Sequence, residues 1–225
     1  SLHPPPNLRV LVAGGASGIG AAIARAFHQA GAHVHVCDID RTALDRLNAE
    51  TPGITGSMAD ASVESDVDLV FDDLQGALGG LDVLVNNAGI SGPTGPIQDV
   101  DRLAWERTVA VNLSGQFYFA RRAVPLLKRS GAGAALIAIG SSTARAGYAR
   151  RAPHVSTQWA TLGFVKALAA ELGADDIRVN AILSGARGSE TDGVAGLALF
   201  LCSPAARHLS GQIITIGMNA ERRHE

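Results

Sequence analysis

The sequence predicts a single α/β domain, 1–225, built on a parallel sheet of about seven strands with helices on both faces. Short apolar runs of the buried-strand kind alternate with helix-length segments along nearly the whole chain. No linker or internal repeat divides it, and 225 residues with 47% hydrophobic composition suffice for one sizeable core. Because crossovers between parallel strands are right-handed, the sheet is expected to be doubly wound.

The predicted elements follow one another in strict alternation. The strands are expected at 8–13, 33–37, 53–58, 82–86, 134–140, 177–183 and 211–216. The helices are expected at 21–31, 41–50, 62–80, 101–128, 153–172 and 193–203. Along the helix 101–128 the predicted apolar stripe is Trp105, Val109, Leu113, Phe117, Ala120, Val124 and Leu127.

The composition argues against several classes of function. With a net charge of −2 the chain has no basic excess for nucleic acid or an anionic membrane surface, and it has no apolar run long enough to span a membrane. Residues 1–7 have no signal-peptide core and are expected to form a flexible lead. Cys37 and Cys202 lie in apolar stretches, which favours a reducing cytoplasm, and the histidines show no metal-ligand spacing.

A glycine-rich stretch follows the first strand and opens the first helix. In Gly14, Ser17, Gly18, Ile19 and Gly20 the glycines let a backbone approach a pyrophosphate, and the helix start supplies unpaired N–H groups. This context predicts a Rossmann-type dinucleotide site. A tight turn without a ligand is the alternative.

Asp38 closes the second strand, eighteen residues beyond Gly20. A carboxylate there can accept hydrogen bonds from the ribose hydroxyls of NAD and would repel the 2′-phosphate of NADP, so NAD(H) is expected to be preferred over NADP(H). Arg41 lies close enough to weaken this preference. Asp38 could instead be a solvated helix cap.

With these residues placed, the chain resembles the short-chain dehydrogenase/reductase family along nearly its whole length. The matching motifs, in chain order, are GGASGIG at 14–20, Ala59–Asp60, NNAG at 86–89, VNLSG with Asn112, GSS at 140–142, AAELGADDIRVNAI and LFLCSPAARHLSGQ. The resemblance implies hydride transfer between NAD(H) and a small alcohol or ketone. It also implies cofactor contacts at Ala59, Asp60, Asn87, Ala88 and Gly89, and active-site roles for Asn112 and Ser141.

The chain departs from the family at the catalytic pair. The family's tyrosine and lysine, four apart on the helix after the fifth strand, fall on His154 and Gln158. Ser184 takes the place of the proline of the family's PG motif, Gly217 that of a common aspartate, and Ala13 that of a frequent threonine. These departures put the usual proton relay in doubt.

A histidine has little need of a neighbouring lysine to transfer protons near neutral pH. Its unperturbed pKa of about 6.5 already suits that work, whereas tyrosine near about 10 needs a cation. We therefore expect His154 to be the acid/base, with Gln158 hydrogen-bonding a ribose hydroxyl. Loss of catalysis, leaving a binding protein, and a non-redox lyase, dehydratase or cyclase are the alternatives. Tyr148 precedes the helix at the wrong offset to replace the tyrosine.

Two further segments bear on the substrate. Arg145, Arg150 and Arg151 precede His154 and could receive an acidic substrate, although a solvated basic loop is the more common arrangement. The family's substrate-covering segment is reduced near 185–192 to SGARGSETDGVA. That segment is either short or missing from the chain, and we expect a break near Gly188–Ser189.

The family pairs the helices matching 101–128 and 153–172 across a two-fold axis. Here both carry wide apolar faces, which include Phe117, Phe119, Trp159 and Phe164. One face can serve the sheet and the other a second copy of the chain, so a homo-oligomer, a tetramer or a dimer, is expected.

Overall fold

The computed structural model describes residues 1–131, 133–142, 147–185 and 190–217, and it confirms the predicted fold class. Seven parallel strands form one sheet in the order β3-β2-β1-β4-β5-β6-β7. The strands are β1 Arg9–Ala13, β2 His33–Asp38, β3 Thr55–Met58, β4 Val83–Asn86, β5 Ala135–Ser141, β6 Arg178–Ser184 and β7 Ile213–Ile216.

Helices cover both faces of the sheet. They are α1 Gly18–Gln29, α2 Arg41–Glu50, α3 Glu64–Leu78, α4 Arg102–Val109, α5 Gly115–Ser130, α6 Ala152–Leu172 and α7 Thr191–Leu201. One apolar layer includes Phe71 of α3 and Phe119 of α5, and the other includes Phe27 of α1 and Leu201 of α7. Because both faces are buried, the strands can be almost wholly apolar.

The strand order reverses between β1 and β4. Ala13 at the end of β1 is in register with Cys37 of β2 on one side and with Asn86 of β4 on the other. The carboxyl ends of β1, β2 and β4 therefore lie side by side, and the chain leaves β1 and β4 in opposite directions. In open α/β sheets such a crevice is where ligands bind.

The predicted helix 101–128 is interrupted by a π-helical segment, Ala110–Ser114, between α4 and α5. Ala120 and Leu127 of the predicted stripe are buried, but Phe117 is 46% exposed and the buried aromatic is Phe119. The prediction of one continuous stripe was wrong because a π turn holds more residues than an α turn and rotates the helix that follows it.

The first residues contact the domain. Pro4 is buried, the Asn7 amide donates to the Gly31 carbonyl at 2.8 Å, and the Ala205 amide donates to the Ser1 carbonyl at 3.3 Å. The mobility expected for residues 1–7 stays a prediction. Across the described parts of the chain, no helix is both long and apolar enough to cross a membrane.

A buried histidine lies between β2 and β3. His35 is 2% exposed; its Nδ1 lies 2.7 Å from the Thr55 hydroxyl and its Nε2 lies 2.9 Å from the Ser57 hydroxyl, which donates to Asp73 at 2.6 Å. Burial lowers the pKa of His35 to about 4, although the Asp73 carboxylate opposes the shift. The imidazole is therefore neutral in the folded protein at neutral pH.

Candidate active site

The turn after β1 allows a very close approach of backbone. Gly14 has φ +66°, and a Cβ on it would lie 2.8 Å from the Cα of Ala88. A Cβ on Gly20 would collide with the carbonyl oxygen of Gly14. The side-chain amide Nδ2 of Asn87 donates to that same carbonyl at 2.7 Å and holds the turn in place. Only glycine fits this cradle.

The start of α1 faces open space. Ser17 is exposed and its side chain caps no helical N–H group, while Gly18 has φ +51° and nothing lies within 4 Å of its Cβ position. Unpaired N–H groups and the positive end of the helix dipole are thus left for an anion. The turn and the first residues of α1 therefore fit the pyrophosphate of a dinucleotide. Ile19, which is half-buried, packs against the apolar layer that contains Phe27 and Leu201.

Asp38 is fixed at the end of β2. One carboxylate oxygen accepts from the Ala16 amide at 3.1 Å, and the other accepts from the Asp40 amide at 3.2 Å. Asp40, not Asp38, caps α2, because its side chain accepts from the Ala43 amide. Asp38 therefore carries a pre-oriented negative charge at the rim of the glycine cradle.

Asp60 is held by an arginine that carries no motif signal. Arg107 of α4 forms an ion pair with Asp60 at 2.8 Å, and Ser62 donates to the same carboxylate at 2.7 Å. Burial acts to raise the pKa of Asp60, but the hydrogen bonds from Arg107 and Ser62 outweigh it and hold that pKa below its usual range. The carboxylate is therefore ionised and fixed in orientation.

A cavity of about 230 Å³ joins these groups. It is lined by Gly14, Ser17, Cys37, Asp38, Ile39, Ala59, Asp60, Ala61, Asn87, Ala88, Gly89, Ile90, Arg107 and Val111. It contains most of the residues for which cofactor contacts are predicted, and Ile90 is part of its lining. Gly20 lies beneath the turn, and Gln158 is not part of the lining.

Asn112, within the π-helical segment, braces Ile90 in the lining of the cavity. Its Oδ1 accepts from the Ile90 amide at 2.7 Å and its Nδ2 donates to the Ile90 carbonyl at 2.9 Å. The same Nδ2 contacts the Thr157 hydroxyl at 3.1 Å, and that hydroxyl donates to the His154 carbonyl at 2.9 Å. Asn112 thereby joins the chain after β4 to the first turns of α6. Neither Ile90 nor Thr157 stood out in the sequence.

His154 lies in the first turn of α6, beside Ile90. Its Nδ1 is buried without a hydrogen-bond partner among the described residues. Burial and the nearby charge of Arg151 lower the pKa of His154, while the Ile90 backbone opposes them. The imidazole is therefore neutral at neutral pH.

Gln158, four residues further along α6, points into the protein. It is 8% exposed, and its Oε1 accepts from the Ser141 amide at 2.8 Å. Ser141 itself ends β5 in register with Ser184 of β6. Gln158 thus braces the end of β5, and its acceptor oxygen is already engaged.

The remaining sequence candidates are distributed around the site. Tyr148 is exposed in the segment before α6. Arg145 and the predicted break near Gly188–Ser189 lie outside the described residues. The Glu190 carboxylate accepts from the Gly185 amide at 2.9 Å, and a Cβ on Gly217 would run into it. An aspartate at 217 would therefore place two carboxylates in contact. In the described parts of the chain no cluster of three His, Cys, Asp or Glu side chains could hold a metal ion.

Comparison with known proteins agrees with this geometry. A family model described as enoyl-(acyl carrier protein) reductase matches residues 14–187, from the glycine cradle to the segment after β6. The chain belongs to the short-chain dehydrogenase/reductase family. A short-chain dehydrogenase/reductase of Gibberella zeae is 35% identical over 182 residues, covering 78% of this chain and 67% of that protein. The trans-4-hydroxycyclohexanecarboxylate dehydrogenase of Sinomonas cyclohexanicum is 31% identical, covering 92% and 90%.

The solved structures extend the likeness to three dimensions. A 3-ketoacyl-(acyl-carrier-protein) reductase of Brucella melitensis, crystallised with NADH, superposes with a TM-score of 0.89. It is 28% identical, and the match covers 94% of this chain and 97% of that one. Together with the cradle, these matches identify this short-chain dehydrogenase/reductase as a nicotinamide-dinucleotide oxidoreductase by family.

This member of the family is shorter than its relatives in the aligned region. The match to the Sinomonas enzyme runs over 237 positions but uses 92% of 225 residues. That share is about 207 residues, so about 30 positions of the relative have no counterpart, as is common for surface segments. The family match ends at residue 187. That the missing positions are those of the substrate-covering segment stays a prediction.

Proposed function

We propose that this protein is an NAD-dependent dehydrogenase or reductase of a small secondary alcohol or ketone, with His154 as its acid/base. The observation that carries the proposal is the junction at Ile90. Ile90 lines the cofactor cavity, and its backbone lies against the His154 imidazole. Dinucleotide and proton acceptor are thus brought to one place.

The proposed role of each residue follows from its contacts. When bound, the dinucleotide supplies the hydride acceptor for the carbinol carbon. The His154 imidazole takes the hydroxyl proton of the same substrate, and the product is a ketone. Because the lowered pKa keeps the imidazole neutral, alcohol oxidation is favoured at neutral pH, and ketone reduction, which needs the imidazolium, is favoured in acid. Asn112 keeps Ile90 and α6 in register.

The preference for NAD(H) is supported by Asp38. Its carboxylate is fixed by two backbone amides, and no lysine or arginine lies in the glycine-rich turn, 14–20, to receive a phosphate. A 2′-phosphate would meet a like charge that cannot turn away.

Gln158 favours a second candidate, a dinucleotide-binding protein with little or no redox activity. We expected this residue to reach a ribose hydroxyl, but its oxygen is engaged by the Ser141 amide. The cation that the family places here has no replacement at position 158. A non-redox enzyme on the same fold remains an outcome of the tests.

The first test measures binding and turnover separately. Quenching of protein fluorescence by NADH and by NADPH gives the two affinities, and a panel of secondary alcohols with NAD gives turnover for wild type and His154→Gln. We expect tighter NADH binding and turnover that His154→Gln abolishes without weakening NADH binding. Binding without turnover in either protein would support the inactive alternative, and absence of binding would refute the assignment.

Assembly and location are proposed on separate grounds. Phe117 of α5 and Trp159 of α6 are 46% and 53% exposed in the single chain, while Phe119 is buried against the sheet. We propose that the outer faces of these helices meet in a homo-oligomer, a dimer or tetramer, which light scattering would test. The two cysteines are free and buried, which supports a reducing, cytoplasmic location.

A further inference from the structure

Arg151, the residue before α6, is fixed in position. Its Nη1 donates to the Thr94 hydroxyl at 3.0 Å, and its Nη2 donates to the Ser91 carbonyl at 3.0 Å. The neighbouring Gly95 amide donates to the Arg150 carbonyl at 2.9 Å. The guanidinium is therefore held against the loop that follows Ile90. Its side chain is thus held by hydrogen bonds, unlike that of a solvated arginine in a basic loop.

The Arg151 guanidinium has no ion-pair partner among the described residues. The sequence contains no aspartate or glutamate between Asp82 and Asp99 or between Glu106 and Glu171. Glu190, the residue before α7, is held by the Gly185 amide. Since a guanidinium has five N–H groups and both hydrogen bonds are to neutral oxygens, donors and charge remain for a ligand.

The guanidinium lies beside the proposed acid/base. Arg151 is the residue before α6, and His154 lies in the first turn of that helix. Burial and the charge of Arg151 lower the pKa of the His154 imidazole. The loop that holds Arg151, 91–95, begins directly after Ile90, which lines the cofactor cavity. The proton acceptor and this cation therefore both lie beside the segment 90–95.

We propose that Arg151 binds a carboxylate of the substrate, so that the alcohol is a hydroxy acid and the ketone an oxo acid. The oxidation of such a hydroxy acid rests on the proposed function, but the binding of its carboxylate to Arg151 does not. The planar guanidinium suits a carboxylate, and the charge-assisted bond fixes the substrate's orientation. On oxidation the carbinol carbon loses its hydrogen with two electrons to NAD, the His154 imidazole takes the hydroxyl proton, and the carboxylate is unchanged.

Matched pairs of acids and methyl esters test this assignment. The probes are 3-hydroxybutyrate and trans-4-hydroxycyclohexanecarboxylate, each with its methyl ester. Calorimetry gives the affinity of each for the protein with and without saturating NAD. The variants are Arg151→Gln, Arg151→Lys and Arg150→Gln; the last removes the same charge from an exposed neighbour.

We expect at least one acid to bind wild type about tenfold more tightly than its ester. This preference should vanish in Arg151→Gln, return in part in Arg151→Lys and persist in Arg150→Gln. The signals of the His154 imidazole should shift in an NMR titration with the acid, which locates the binding.

Three results would overturn the inference. They are equal binding of acid and ester by wild type, loss of the preference in Arg150→Gln as complete as in Arg151→Gln, and equal weakening of acid and ester in Arg151→Gln, which indicates a structural role alone. A failure of NAD to bind would refute the proposed function but leave the acid–ester comparison intact on the protein alone.

Discussion

Returning the family's lysine to position 158 should weaken the fold before it helps catalysis. Gln158 is 8% exposed and its Oε1 accepts from the Ser141 amide at 2.8 Å. Lysine has no acceptor, so Gln158→Lys removes the oxygen to which the half-buried Ser141 amide donates and should lower the free energy of unfolding by about 1–3 kcal/mol. Gln158→Met removes the acceptor without adding a charge and serves as the control in urea unfolding.

The difference in unfolding free energy between Gln158→Lys and Gln158→Met reports whether the lysine ammonium is buried or reaches the cleft. If lysine costs no more than methionine, its long side chain has carried the charge to the cleft. A larger cost means that the ammonium stays buried. Unchanged stability in both variants would refute the bracing role that we assign to Gln158.

The same lysine should raise turnover only together with a tyrosine at 154. Tyrosine alone keeps a pKa near 10 and is a poor base at neutral pH, and lysine alone places a second cation beside His154. We therefore expect the double variant His154→Tyr, Gln158→Lys to exceed the product of the single changes. NADH formation with a panel of secondary alcohols, followed for all four proteins, measures the coupling. Additive single changes would contradict it, and wild-type turnover as fast as that of the double variant would show that His154 is already competent.

Three further predictions concern pH, cofactor choice and the cradle. Because burial depresses the pKa of His35 from 6.5 to about 4, its contribution to stability is complete above pH 6.5 and falls by up to about 3 kcal/mol as the pH drops to about 4. The unfolding free energies of wild type and His35→Gln should therefore converge in acid. Those of wild type and His33→Gln, the control at an exposed site, should not. A difference between wild type and His35→Gln that stays the same at every pH would refute this. Asp38→Asn should raise NADPH affinity about tenfold by removing a like charge, and unchanged calorimetric affinities would exclude Asp38 from the ribose site. Gly14→Ala places a Cβ 2.8 Å from the Cα of Ala88, so it should abolish NADH binding and lower the free energy of unfolding by about 1–3 kcal/mol. Gly76→Ala in α3 is the control, because nothing lies within 4 Å of its Cβ position, and it should be neutral or stabilising. NADH titration and urea unfolding check both variants.

Features set by a few neighbouring residues could be predicted from the sequence. The glycine cradle depends on φ angles and close approaches that only glycine permits, and Asp38 follows directly from the end of a buried strand. The alternation of apolar runs and helical segments also led to the correct sheet class, because a strand buried on both faces needs an apolar run.

Features set by packing could not be predicted in this way. A glutamine at 158 can donate to a ribose or accept from a backbone amide, and only the position of the Ser141 amide decides between them. Arg107 and Ile90 belong to no motif, and their roles come from where α4 and the chain after β4 meet the cavity. The stretch AVNLS at 110–114 has no residue that demands a π turn, so its hydrogen-bond register is a product of tertiary contacts.

That π turn has a consequence for how the gene can change. A π turn holds one residue more than an α turn, so deleting one residue within 110–114 would convert it into an α turn and leave the buried faces of α4 and α5 in place. A deletion at 115–118, inside α5, has no extra residue to absorb it and would turn the rest of that helix through about 100°. Phe119 would then move to the half-exposed place of Tyr118. We therefore expect functional descendants to change the length of this helix at the π turn and not within α5.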